Sequence, residues 1–400
     1  MPEKIGKNKG ISLEKEYGIV LEGGGAKGAY QIGVWKAFLE CGVKIKGVAG
    51  VSVGALNGAL IAMGNYEEAE ELWRGLTFSS VMDVDDEKMG NLLGGKLKDL
   101  KLVDLTKDLV KIIRDRGIGI TPLKDLIDTW VDEEKICNSD IEFYLGTFSL
   151  NELKGIEISA KEADKAYLKD YLLASAYLPA FRNEKLHGKT YLDGGLLNNV
   201  PTDMLISRDY KDIIVIRIHG PGFVKPIVIP KDVNVIEINS KVDLGGILEF
   251  DNRKIRRNIS IGYLDGMSLV KGFLGRKYYL DWKKTEEEAF QFFHHVNEHV
   301  KMALLEYFKY EYGNKDLDNR LFIEVICPSI AKRLRLDKNW TYTDLLLACA
   351  ELGAMAIKVP RYTIYTDNEF LKIISEKYET IEDDTISLFP LLILKMLTIR

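Results

Sequence analysis

Cysteine is scarce in this chain: Cys41, Cys137, Cys327 and Cys349 are four among 400 residues. They lie far apart and form no C-x-x-C pair. That excludes a disulfide framework and a cysteine zinc site, and it fits the reduced thiols of a cytoplasmic protein. Histidine is nearly as rare, with five residues, so chemistry that needs an imidazole has few candidates. No charge of one sign prevails. The net charge of −5 gives no electrostatic case for nucleic acid, or for whole-surface attraction to an anionic membrane. The opening MPEKIGKNKGISLEKEYG is polar and basic without an apolar centre, so no secretory signal is expected. Long hydrophobic runs are also missing. Val48–Gly64 lacks charge but is cut by Gly50, Gly54, Asn57 and Gly58, and it is shorter than the about 20 residues that span a bilayer. Ile386–Thr398 is broken by Pro390 and Lys395 and reads as a C-terminal core segment. There is no internal repeat and no low-complexity segment.

What is present is an ordinary globular composition, 46% hydrophobic and 29% charged. Four hundred residues exceed one usual core, which predicts a large domain with an appendage, or two domains. Residues 1–15 read as a flexible tail. Tyr17–Glu22 is a buried strand, GGGAKG follows at 23–28, and AYQIGVWKAFLE is an amphipathic helix ending at Gly42. Lys46–Val51 is the next strand, and a helix starts after it. This strand–helix–strand–helix order predicts an α/β fold of three layers, with a mostly parallel sheet covered on both faces. Leu72–Ile136 reads as helical, a cover for a site or a plain helical layer. Glu142–Ser149, Ile156–Ser159, Asp212–Ile218 and Val233–Ile238 read as strands, Tyr167–Ala176 as a helix, and His187–Gly195 as hairpin-like. The boundary falls near 282, giving a domain at 16–282. Residues 283–400 read as mainly helical, with short strand-like runs such as Leu321–Ile326.

The chemistry centres on Gly50-Val51-Ser52-Val53-Gly54, a G-x-S-x-G on a strand-to-helix turn. Such a turn lifts a serine clear of the sheet as a nucleophile, in a strained conformation whose neighbours must be small. The loop Gly23-Gly24-Gly25-Ala26-Lys27-Gly28 has three readings. It fits the dinucleotide G-x-G-x-x-G, but the next strand ends in the serine turn and not in an acidic residue. It fails as a phosphate-binding Walker loop, because Lys27 precedes Gly28 and not Ser or Thr. It also fits an oxyanion hole, in which unobstructed backbone N–H groups meet a reacting carbonyl. Two residues are candidates for the base. His219 follows a strand, although His-Gly-Pro-Gly also suits a plain turn. Asp193 closes an apolar strand before Gly194 and Gly195, although Asp-Gly is also a hairpin turn. Burial would make that carboxylate more basic. His295-Val296-Asn297-Glu298-His299 fits H-x-x-E-H, with both histidines expected on one helix face but no clear third ligand.

GGGAKG at 23–28, GVSVG at 50–54 and DGG at 193–195, in this order, resemble the patatin-like phospholipase family. ASAYLPAF at 174–181, LLNNVP at 196–201 and IRRNISIGYLDG at 255–266 extend the resemblance to Tyr17–Leu280. It implies a Ser52–Asp193 dyad without histidine, an oxyanion held by the 23–28 loop, and an acyl-serine intermediate. It further implies hydrolysis of the acyl esters of phospholipids and neutral lipids, usually without calcium. We expect no cofactor and no metal, a cytoplasmic location, and a lipid or acyl-ester substrate met in transient contact with membrane surfaces. Two other readings are open: a dinucleotide-binding protein using the 23–28 loop, and a non-catalytic lipid-binding scaffold of the same fold.

Overall fold

The computed structural model describes residues 11–83, 86, 119–177, 185–186, 188–310 and 319–399. The helical stretch expected over 84–118 apart from Asp86, as well as Leu178–Phe181 and His187, lies outside them. By chain contacts the molecule divides into residues 12–267 and a second unit formed mainly by 268–400.

The first unit is built on β1 (Glu16–Leu21), β2 (Lys44–Val51), β3 (Glu142–Ser149), β4 (Lys154–Ser159), β5 (Tyr191–Asp193), β6 (Asp212–Arg217) and β7 (Asn234–Asn239). They form one sheet in the order β4-β3-β2-β1-β6-β7, with β5 also paired to β3. The β3-β2-β1-β6-β7 run is parallel, and β4 and β5 lie antiparallel against β3. The fold is therefore α/β with a mostly parallel sheet, as the element order predicts. β1 and β6 are buried along nearly their whole length, and β2 from Gly47 to Val51, which is why these stretches read as unbroken apolar runs.

Alternate residues of β2 feed opposite layers. Val48 faces α2 (Val53–Met63), where Gly58 leaves no room for a Cβ against Phe143 and Val48. Ala49 joins Val20, Ile213 and Val215 in a cluster with Met204 and Leu205 of the helix Thr202–Ile206. The period of two thus places one helix on each face. Helix α1 (Ala29–Cys41) ends where Gly42 takes φ 73°, the left-handed cap expected there. It lies directly on the helix Asn252–Lys271: a Cβ on Gly33 would overlap the Ile259 carbonyl oxygen, and one on Gly262 the Tyr30 carbonyl oxygen.

The second unit is helical around a core that includes Phe293, Leu304, Phe322, Leu346, Phe370 and Ile393. Two expectations are corrected here. Phe322–Ile326 is a π-helical turn and not a strand. Its apolar, β-branched run mimics a strand, but Phe322 and Ile326 are both buried, four residues apart on one side of a helix. His295 caps the helix Glu286–His294, whereas His299 sits in the first turn of the next helix, Glu298–Tyr307. The two histidines therefore do not share a helix face. Ile386–Thr398 forms the helix Leu388–Thr398, with Phe389, Leu392, Ile393, Leu394 and Met396 buried. Pro390 falls in its first turn, where a missing N–H costs nothing.

Candidate active site

The parallel strands bring their carboxyl ends to one edge of the sheet, and the β2–α2 turn lies there. Ser52 occupies that turn at φ 54° and ψ −130°. This conformation is unfavourable for a residue with a side chain, and it turns the hydroxyl out of the strand line. The flanking glycines are required by contact. A Cβ on Gly50 would strike the Gly54 carbonyl oxygen, and one on Gly54 the Leu21 carbonyl oxygen. The turn is braced by Ser175, which is fully buried on the helix Leu168–Ser175. Its hydroxyl donates to the Gly146 carbonyl at 2.7 Å and accepts the Ser52 N–H at 3.0 Å.

Asp193 ends β5, paired opposite Thr147 of β3. It does not open a hairpin: Gly195 begins a short helix, Gly195–Asn198. Only 6% of the residue is exposed. Oδ1 accepts the Gly195 N–H at 2.8 Å. Burial is the dominant influence on the carboxyl and lifts its pKa from 3.8 to about 6, against the opposing pull of the Ser52 hydroxyl and the Gly195 N–H. Oδ2 is buried without a hydrogen-bond partner.

The 23–28 loop closes the other side of Ser52. A Cβ on Gly23 would lie 3.2 Å from the Ser52 Cβ. Gly25 has φ 55° and its Cβ would meet the Ile247 carbonyl oxygen, so only glycine fits. Asn199 clamps the loop. Its side-chain amide donates to the carbonyls of Gly23, at 3.1 Å, and Gly220, at 3.3 Å, and its backbone carbonyl accepts the Gly23 N–H at 3.3 Å. The Ala26 N–H is bonded to the Ile247 carbonyl at 2.8 Å. Lys27 braces the loop: its ammonium donates to the His219 carbonyl at 2.9 Å. Glu22, at the end of β1, accepts the Ile218 and His219 N–H groups and pairs with Arg217, which fixes the facing turn.

Ser52, Asp193, Gly24 and Gly25 line one cavity of about 490 Å³. The rest of its wall is mostly apolar, with Leu60, Leu72, Leu76, Met82, Leu126 and Phe250. Asn57 also reaches it. Its amide donates to the Gly28 carbonyl and Gln31 Oε1, and its oxygen accepts the Trp73 N–H. No histidine is among the described residues that line the cavity. His219, the alternative base, is in a left-handed turn at φ 49°, held by its own backbone groups. The 174–181 and 196–201 motifs gave no individual role to Ser175 or Asn199. Their signal was a polar residue inside an otherwise apolar segment, and Asn57 carried the same signal.

The family model of the patatin-like phospholipase matches residues 19–206, a stretch that holds the glycine loop, the Ser52 turn and Asp193. The family resemblance carried by the glycine motifs stands over that stretch. Patatin-like phospholipase domain-containing protein 7 of Rattus norvegicus is 25% identical over 200 residues, 50% of this chain and 13% of that protein. Neuropathy target esterase sws of Drosophila melanogaster is 30% identical over 202 residues, again 50% of this chain and 13% of that protein. The match thus spans 13% of the length of these relatives. Among solved structures, VipD from Legionella pneumophila aligns over 95% of this chain and 90% of its own, at 14% identity and a TM-score of 0.40.

Proposed function

We propose that the patatin-like domain, taken as residues 16–282, is a lipid acyl hydrolase working through Ser52 and Asp193. The observation that carries this reading is a strained, buried serine beside a desolvated, half-unpartnered carboxylate at the wall of an apolar cavity. The Asp193 carboxylate takes the Ser52 proton as the serine oxygen adds to the ester carbonyl. The tetrahedral oxyanion is met by backbone N–H groups of the glycine loop, with Gly24 and Gly25 nearest the cavity, and by the Val53 N–H at the start of α2. The helix start adds positive potential there. Protonated Asp193 then passes its proton to the departing alkoxide, which leaves an acyl ester on Ser52. A water that gives its proton to Asp193 attacks the acyl carbon, and the fatty acid departs as Ser52 regains a proton.

An apolar wall of this size suits one hydrocarbon chain of an ester lipid. No helix among the described residues is long and apolar enough to cross a membrane. Four free cysteines favour a cytoplasmic site of action. The test is a fluorophosphonate probe followed by mass spectrometry of products from a mixed lipid extract. Wild-type protein is expected to label once, at Ser52, and to release free fatty acid, and Ser52→Ala to do neither. Equal labelling of Ser52→Ala would remove the proposal.

A further inference from the structure

Beside the cavity, large apolar side chains are left in solvent on three separate segments at the carboxyl edge of the sheet. Leu153, in the turn between β3 and β4, is 75% exposed. Leu196 and Leu197, on the short helix after Asp193, are 45% and 41% exposed. Phe223 and Val224, on the segment after β6, are 55% and 44% exposed. These segments are tied into one surface. The Phe223 N–H donates to the Gly195 carbonyl at 3.0 Å and its carbonyl accepts the Asn199 N–H at 2.7 Å. A Cβ on Gly155 would lie 2.9 Å from Leu197 Cδ1. The patch adjoins the cavity, because Leu196, Pro221 and Gly222 also line it.

The charge around this rim is opposite to that of the whole chain. Lys154, Lys185, Lys189 and Lys225 are exposed there. Glu152 pairs with Lys154 and Lys189, and Asp203 with Lys225. Glu157, which faces Lys225, pairs in turn with Arg208. Counting these, cations still outnumber carboxylates, and the rim is basic on a protein of net charge −5. Scattered apolar residues are ordinary on a surface, but a contiguous set joined to an apolar cavity and edged with lysine is a feature of interfaces.

We infer that this rim docks on an anionic lipid bilayer. The apolar side chains enter the headgroup region, the lysines meet lipid phosphates, and the cavity mouth is presented to the acyl chains. The inference rests on the acyl-ester reading of the cavity for its purpose but not for its test. Sedimentation with vesicles of phosphatidylcholine, alone or mixed with phosphatidylglycerol, reads binding directly. Ser52→Ala keeps the surface and removes the nucleophile, so failure to hydrolyse and failure to bind are separated. Wild-type protein and Ser52→Ala are both expected to pellet with the mixed vesicles, less with phosphatidylcholine alone, and less at high salt. The double variant Leu153→Glu with Val224→Glu is expected to bind at least about five-fold more weakly, while its turnover of a soluble short-chain ester matches wild type. No sedimentation with either vesicle, or equal binding by the double variant, overturns the inference. Self-association of wild-type protein without vesicle binding, lost in the double variant, would assign the patch to a second copy instead and overturn it equally.

Discussion

At the scale of single residues, Asp193 carries the sharpest expectations. Its carboxyl must be ionised to accept the serine proton, so kcat/KM for a soluble ester is expected to rise with pH through about 6 and then level off. A flat profile from pH 5 to 8, values bracketing that pKa by roughly a unit or more, would remove Asp193 as the base. The same group makes stability fall with pH. Its folded-state pKa lies above the ordinary 3.8, so between 3.8 and about 6 the folded chain holds a proton that the unfolded chain has released. The gap corresponds to roughly 3 kcal/mol lost as pH rises through that window. Asp193→Asn is therefore expected to abolish turnover and yet melt at a higher temperature than wild type at pH 8, with the gap closing toward pH 4. Ser175→Ala tests the brace. It strands the buried Ser52 N–H and Gly146 carbonyl, at a cost of about 1–3 kcal/mol by denaturant titration. Because Ser52 would no longer be aimed, kcat is expected to fall more than KM rises. Ser52 and Asp193 were legible because glycine marks the backbone around each. Ser175, Asn57 and Asn199 were not, because a buried polar side chain shows its role only through partners far away in sequence.

At the scale of elements, two backbone contacts decide the geometry. The β2–α2 turn holds its shape because Gly50 and Gly54 let strand and helix touch. The second contact joins α1 to the helix Asn252–Lys271, where Gly33, Gly262 and Gly266 meet backbone or the Ala37 side chain, and the Tyr30 hydroxyl bonds to Asp265 at 2.9 Å. Gly262→Val is expected to lower stability by more than about 2 kcal/mol, read as a drop in thermal midpoint. The catalytic parameters of the remaining folded protein should change little. A midpoint unchanged by Gly262→Val would show that the two helices can separate without consequence. The strand and helix order of the first unit was readable from short unbroken apolar runs and from the caps. The π-helical turn at Phe322–Ile326 and the break between His295 and His299 were not. At the first an apolar, β-branched run imitates a strand and packing in the second core sets the outcome; at the second the capping asparagine, Asn297, does.

At the scale of the whole molecule, residues 12–267 and 268–400 form two contact units, and each has its own buried cluster. Calorimetry is expected to show unfolding that departs from a single two-state transition. Asp193→Asn should move only the transition that belongs to the first unit. One cooperative transition, shifted as a whole by that substitution, would mean that the units unfold together. The α/β class, the strand–turn–helix that carries Ser52 and the glycine loop ahead of it are already present in the sequence. Each of these is written in local backbone demands, which neighbouring residues alone can express. Tertiary structure alone decided that Asp193 is desolvated, that Lys27 reaches the His219 carbonyl, and that Ser175 and Asn199 hold the turn and the loop. Desolvation and long-range hydrogen bonds depend on what the folded chain brings alongside a residue, and no stretch of sequence contains that by itself.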